Sequence, residues 1–123
     1  MKIAVPVDMK EYNLTVSASF SRATHFLIDD EGSGESQTPV NIAAQSAGGA
    51  GIQAAQMIVD SGAQALLTPR CGQNAANVLL AAGIQLYKTI PSLSVMDNVK
   101  AFREGKLDKL NEIHEGFHGH KEK

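Results

Sequence analysis

The sequence predicts an α/β fold: a mixed sheet with helices packed on it. Three observations carry that reading. Short apolar runs with strand character, at residues 2–7, 26–29, 65–68 and 84–89, are interleaved in the second half with stretches whose apolar residues fall at helical spacing. Gly62, Gly83 and Gly105 stand where those helices would stop. The resulting order is β, β, β, α, β, α, β, α. A hairpin is antiparallel, whereas strand–helix–strand units are parallel and right-handed, so the sheet is mixed.

Each element has a local reason. The first strand spans residues 2–7, with Pro6 near its end because proline donates no ladder hydrogen bond. Residues 8–19 are polar with scattered apolar positions and read as a loop. Residues 26–29 form a second strand, 30–34 an acidic, glycine-bearing turn, and 36–42 a weakly alternating strand that pairs back as a hairpin. Gly48-Gly49-Ala50-Gly51 opens a helix with Ile52, Ala55 and Val59 on its apolar face. After the buried strand at 65–68, a second helix runs over 73–82 with a face of Ala75, Ala76, Leu79 and Leu80. The strand at 84–89 follows. Ser94, with Asp97 three residues on, resembles a capping box for a third helix whose stripe is Val95, Val99 and Phe102. Leu107 and Leu110 return to the core. Residues 1–110 read as one domain and 111–123 as a flexible, polar, histidine-bearing tail.

Composition narrows the function. A chain of 123 residues suits one core, and 43% hydrophobic residues argue against disorder. Aromatics are only 5% and tryptophan is absent, so alanine and small aliphatics must fill the interior. A net charge of −2 gives no overall basic footprint for nucleic acid. No apolar run approaches the ~20 residues of a membrane span, and the N-terminus reads as a strand rather than a signal peptide. The expectation is a soluble, cytoplasmic monomer. The single cysteine cannot form an internal disulfide or a site of four protein thiolates.

The chemistry is expected beyond the carboxyl ends of the strands, where α/β proteins form their sites. Between Ser36 and Tyr87 the only charged residues are Asp60 and Arg70, and Arg22 stands similarly alone. Each arginine is either a core-edge residue or an anion receptor, a role that suits a permanently charged planar fork of donors. Gly49-Ala50-Gly51 and Cys71-Gly72-Gln73-Asn74 place flexible backbone at helix starts. Free N–H groups there attract anions, although ordinary helix initiation explains the same glycines. Neither stretch is a P-loop or a dinucleotide fingerprint. Cys71, beside Arg70 at a helix start, is expected to have a lowered thiol pKa. It reads either as a ligand, as a nucleophile if His25 supplies a base, or as a small buried hydrophobe. His114, His118 and His120 have a spacing that can present imidazoles to Cu, Ni or Zn, or simply lie in a solvated tail.

Phe20-Ser21-Arg22-Ala23 resembles the Phe-Gly-Arg-Ala signature of the dinitrogenase iron–molybdenum cofactor biosynthesis family. Met1-Lys2-Ile3-Ala4-Val5-Pro6-Val7, Gly49-Ala50-Gly51, Gly72-Gln73-Asn74-Ala75 and Ala101-Phe102-Arg103-Glu104-Gly105-Lys106-Leu107 match it in the same order. The resemblance implies a ribonuclease H-like, three-layer fold with a mixed five-stranded sheet, one strand antiparallel. It also implies a non-enzymatic carrier of metal–sulfur clusters that works with cluster donor and acceptor proteins. A small single-domain branch, the orange proteins, is similar in size and carries a molybdenum–copper sulfide cluster; the alternative cargo is an iron–molybdenum cofactor precursor. Ser21 departs from the signature glycine, and Cys71 as a ligand is not part of the family pattern. An anionic cluster brings its own sulfides, so Arg22, Arg70 and the amides of Gly49-Ala50-Gly51 and Cys71-Gly72-Gln73-Asn74 would hold it. Two other readings remain: a metal-dependent nuclease using Asp8, Asp29 and Asp30, and a cluster-free interaction module.

Overall fold

The computed structural model describes residues 1–111 and 113–114. His118 and His120 lie outside the described residues. Strands β1 (Lys2–Lys10), β2 (Asn13–Val16), β3 (His25–Asp30) and β4 (Glu35–Gln37) come first. A short 3-10 turn (Ile42–Gln45) leads to helix α1 (Ala50–Ser61), then β5 (Ala65–Thr68), β6 (Cys71–Gly72) and α2 (Gln73–Ala81). The chain continues with β7 (Gln85–Lys88), α3 (Val95–Arg103) and β8 (Ile113–His114).

The sheet is mixed, as expected. Its path is β4-β3-β1-β5-β7, and β2 adds a sixth strand by pairing with β1. Strands β1, β5 and β7 are parallel, and β3 pairs antiparallel with both β1 and β4. The count therefore exceeds the expected five, and two strands, β2 and β3, rather than the expected one run antiparallel to β1. The sixth strand comes from residues 8–19, read as a loop: β1 runs on to Lys10, and β2 returns with Val7 opposite Val16 and Lys10 opposite Asn13. The tight reversal between them uses Glu11 at φ 59°. Pro6 is also not at a strand end. Its carbonyl accepts the Ser17 N–H at 2.9 Å, and its missing donor faces the same side, beyond the last β1–β5 partner, Ala4. No ladder bond is lost there.

Strand alternation divides the interior in two. Ile3, Val5, Leu27 and Leu67 face α3, together with Val95 and Val99. Ala4, Phe26, Ile28 and Leu66 face α1 and α2. That second layer is built largely of alanine, with Ala54, Ala55, Ala75 and Ala76 beside Ile58 and Leu79. Small side chains let α1 and α2 approach closely: a Cβ on Gly51 would lie 3.6 Å from the Ala75 Cβ. The buried stripe of α1 is Ala50, Ala54, Ala55 and Ile58. Ile52 is 47% exposed and Leu80 50%, so both leave the faces assigned to them; the helix–helix contact takes the alanine stripe instead. Val59 and Phe102 are half-buried. Asp97 N–H donates to Ser94 Oγ at 3.1 Å, which caps α3. Leu107 and Leu110 are buried, and Leu110 N–H bonds the Leu86 carbonyl at 3.1 Å along β7. The chain then reaches β8, which pairs parallel with β6 and packs Ile113 against the core.

Candidate binding cleft

Three loops meet at one end of the sheet. The first follows β2 and carries Ser19, Ser21 and Arg22; the second enters α1; the third joins β5 to α2. Together they enclose a cleft of about 560 Å³. Arg22, Gly49, Ala50 and Gly51 line one side of it. Arg70, Cys71, Gly72, Gln73 and Asn74 line the other. All nine residues assigned to a cofactor from sequence therefore share one cleft. Ser19, Phe20 and Ser21 also line it. They were missed as site residues, although Phe20 and Ser21 adjoin Arg22 within the signature that carries the family resemblance and Ser19 directly precedes it.

Backbone geometry explains why the cleft suits an anion. Gly49, the N-cap of α1, sits at φ 71°, a left-handed conformation that disfavours side chains. Gly72 is the N-cap of α2. Neither helix has a side-chain cap hydrogen bond, whereas α3, which starts elsewhere, does. The first N–H groups of α1 and α2 thus lack side-chain acceptors at the cleft, where the helix dipoles add positive potential. Among the described residues no carboxylate lines the cleft. Asp60 lies near the far end of α1, about 15 Å from Ala50 at the helical rise per residue, and accepts from Gln56.

The two arginines differ. Arg22 Nη1 donates to the carbonyls of Ala44 at 2.7 Å and Ser46 at 2.9 Å, strapping down the segment that precedes α1. Arg70 is exposed, and its guanidinium has no hydrogen-bond or ion-pair partner among the described residues. Its own carbonyl accepts from Thr68 Oγ1 at 3.0 Å, which fixes the loop that presents it.

Cys71 corrects the expectation of a reactive thiolate. It is 1% exposed, and burial pushes its thiol up to about 11. Desolvation outweighs the helix start and the neighbouring arginine. Of the three readings open for Cys71, the small buried hydrophobe fits. His25 does not line the cleft; its Nδ1 lies 2.9 Å from Thr24 Oγ1. His114 pairs with Gly72 through the backbone of β8. Among the described residues no group of three or more His, Cys, Asp or Glu could hold a metal ion.

The carboxylates considered for a nuclease are dispersed. Asp29 pairs with Ile3 of β1, five residues and about 17 Å from Asp8 along the strand. Asp29 is bound to Arg103, Asp8 Oδ1 accepts the Thr24 N–H, and Asp30 Oδ1 accepts the Gly32 N–H. No helix among the described residues is long and apolar enough to cross a membrane.

Residues 1–105 match the family described as dinitrogenase iron-molybdenum cofactor. The chain belongs to that family. Members and neighbours resemble it over nearly their whole length. An uncharacterized protein of Methanocaldococcus jannaschii is 33% identical over 113 residues, covering 89% of this chain and 92% of the relative. The apo form of the orange protein from Desulfovibrio gigas superposes with a TM-score of 0.81 at 31% identity, covering 90% of this chain and 93% of that one. A NifB-like protein of the DUF35 family from Thermotoga gives a TM-score of 0.75 at 33% identity, covering 89% and 92%. The family match includes every residue lining the cleft.

Proposed function

We propose that this chain binds an anionic metal–sulfur cluster non-covalently in the cleft and carries it as cargo. One observation carries the reading: two arginines and two helix N-termini without side-chain caps line a single cleft to which no carboxylate among the described residues contributes. A sulfide-bridged cluster supplies its own sulfur and its own negative charge. It needs cations, N–H donors and a cup that excludes water, rather than protein thiolates. That matches a chain whose one cysteine is buried and protonated. Arg70 neutralises charge, and Arg22 contributes its charge while it holds the rim. The amides at the starts of α1 and α2 donate to bridging sulfides.

The family description and the likeness to the apo orange protein support a cluster-carrying role and make molybdenum the favoured metal. The finer reading is a molybdenum–copper sulfide cluster, with an iron–molybdenum cofactor precursor as the other cargo of the same chemistry. We further read the chain as a non-enzymatic, monomeric, cytoplasmic carrier with a ribonuclease H-like fold. It would receive cargo from one protein and deliver it to another.

The test is a visible-absorption titration of the purified, cluster-free protein with tetrathiomolybdate, with and without copper, followed by gel filtration. New charge-transfer bands and molybdenum co-eluting at fixed stoichiometry are expected, with copper raising retention if the cargo is the mixed cluster. Free elution of all metal would overturn the reading.

A further inference from the structure

A second cleft, of about 520 Å³, adjoins the first, with which it shares Ala18 and Arg70. Four segments distant in sequence build it: β2, the loop after β5, the loop after β7 and the first turn of α3. Its walls are apolar, with Leu14, Val16, Pro69, Ile90, Pro91 and Leu93. Polar features break that surface at four places, one of them the exposed Thr15 of β2. Arg70 lines this cleft as well as the first. The start of α3 opens into it through Ser94 and Val95, and the Ser94 cap engages only the Asp97 N–H. The last feature is Thr89, which is 4% exposed. Its N–H reaches the Thr68 carbonyl at 3.4 Å, but its hydroxyl has no hydrogen-bond partner among the described residues.

A buried hydroxyl without a partner is costly, and such groups are uncommon in folded proteins. The cost persists here in a rigid setting. Asn98, fully buried, accepts the Ile90 N–H at 2.7 Å and donates to the carbonyls of Ile90, Leu93 and Ser94. The loop from Ile90 to Ser94 is therefore clamped, and the cleft is preformed. A preformed apolar cavity with a few converging polar groups is the usual form of a small-molecule site. Among the described lining residues the one charged group is a cation, and the side-chain polar groups besides it are the hydroxyls of Thr15, Thr89 and Ser94, which can donate.

The geometry points to a binding site for a small organic carboxylate with an apolar body. Its carboxylate would be met by Arg70, the Thr89 hydroxyl and the first amides of α3, and its hydrocarbon would lie against Leu14, Val16 and Leu93. A carboxylate suits the planar fork of Arg70 and accepts the hydrogen bond that Thr89 lacks. The inference stands apart from the cluster reading, since it is tested on protein that carries no cluster.

The experiment is a titration of the full chain with hexanoate, followed by proton–nitrogen NMR, with hexanamide and acetate as controls. Saturable shifts at the amides of residues 89–96 are expected, with both controls roughly tenfold weaker or more. Thr89→Val supplies an independent readout. It removes a hydroxyl without a partner, so the free protein should unfold at the same or a higher temperature, while hexanoate binding weakens several-fold. The absence of saturable shifts, equal binding of hexanamide, or shifts confined to residues 49–52 and 72–75 would overturn the assignment. So would a Thr89→Val protein that loses stability, because the hydroxyl would then be bonded within the fold.

Discussion

Arg70 combines an exposed guanidinium with a backbone held by Thr68, so its charge is available while its position is fixed. Reversing that charge should affect binding and spare the fold. For Arg70→Glu we expect loss of molybdenum co-elution, with stability within about 0.5 kcal/mol of the parent by urea unfolding, as for other exposed positions without partners. Cys71 yields a prediction about pH. Its thiol ionises near 9.0 when unfolded and at about 11 when folded. Below the lower value both states hold the proton and stability does not depend on this group. Between the two values only the folded state keeps it, so stability falls as pH rises, by roughly 2–3 kcal/mol across the window. Unfolding measured against pH should show that fall, and Cys71→Ala should lack the component. Arg70 was legible in the sequence because charge is so sparse around it. The state of Cys71 was not legible: the helix start and the neighbouring arginine are local features, whereas burial, which wins, is created by segments such as Ile113 far along the chain.

The glycine-marked helix ends were readable because each glycine solves a local problem. Gly49, Gly62, Gly83 and Gly105 all have positive φ, which side chains resist. Gly49→Ala should cost roughly 1 kcal/mol in thermal unfolding, and it should also weaken thiomolybdate retention by shifting the first amides of α1. Asn98 is the polar hub of the α3 segment. Asn98→Ala leaves the Ile90 N–H without its acceptor, and we expect a loss of about 2–4 kcal/mol by urea unfolding. Strand β2 escaped notice because its alternation, Asn13 to Val16, spans only four residues and buries neither apolar side chain fully. Ile52 and Leu80 were assigned inward on hydrophobicity. The α1–α2 contact instead selects alanine and glycine, whose small size permits the close approach of the two helices, and the bulkier residues turn to solvent.

The molecule carries a net charge of −2, yet the described residues that line its main cleft include two arginines and no carboxylate. Attraction across an open cleft is screened by salt. Retention of tetrathiomolybdate should therefore weaken steadily with ionic strength, as equilibrium dialysis can measure. Ile113 and His114 are also tied to the cleft, because β8 pairs with Cys71 and Gly72. A protein lacking residues 112–123 should stay folded while the amides of residues 71 and 72 exchange faster with solvent. The main cleft could be anticipated because short stretches of sequence carry its parts. The second cleft could not, since its wall joins Leu14 to Leu93 and only the sheet topology brings them together. The uncapped starts of α1 and α2 bear on how such a protein diverges. An amide donor belongs to every residue except proline, so most substitutions at these rims leave the donors in place. Selection need preserve only the turns and the lack of competing side chains. Two chains that agree at about a third of their positions and share a fold can then present the same backbone donors, because those donors are written in the main chain.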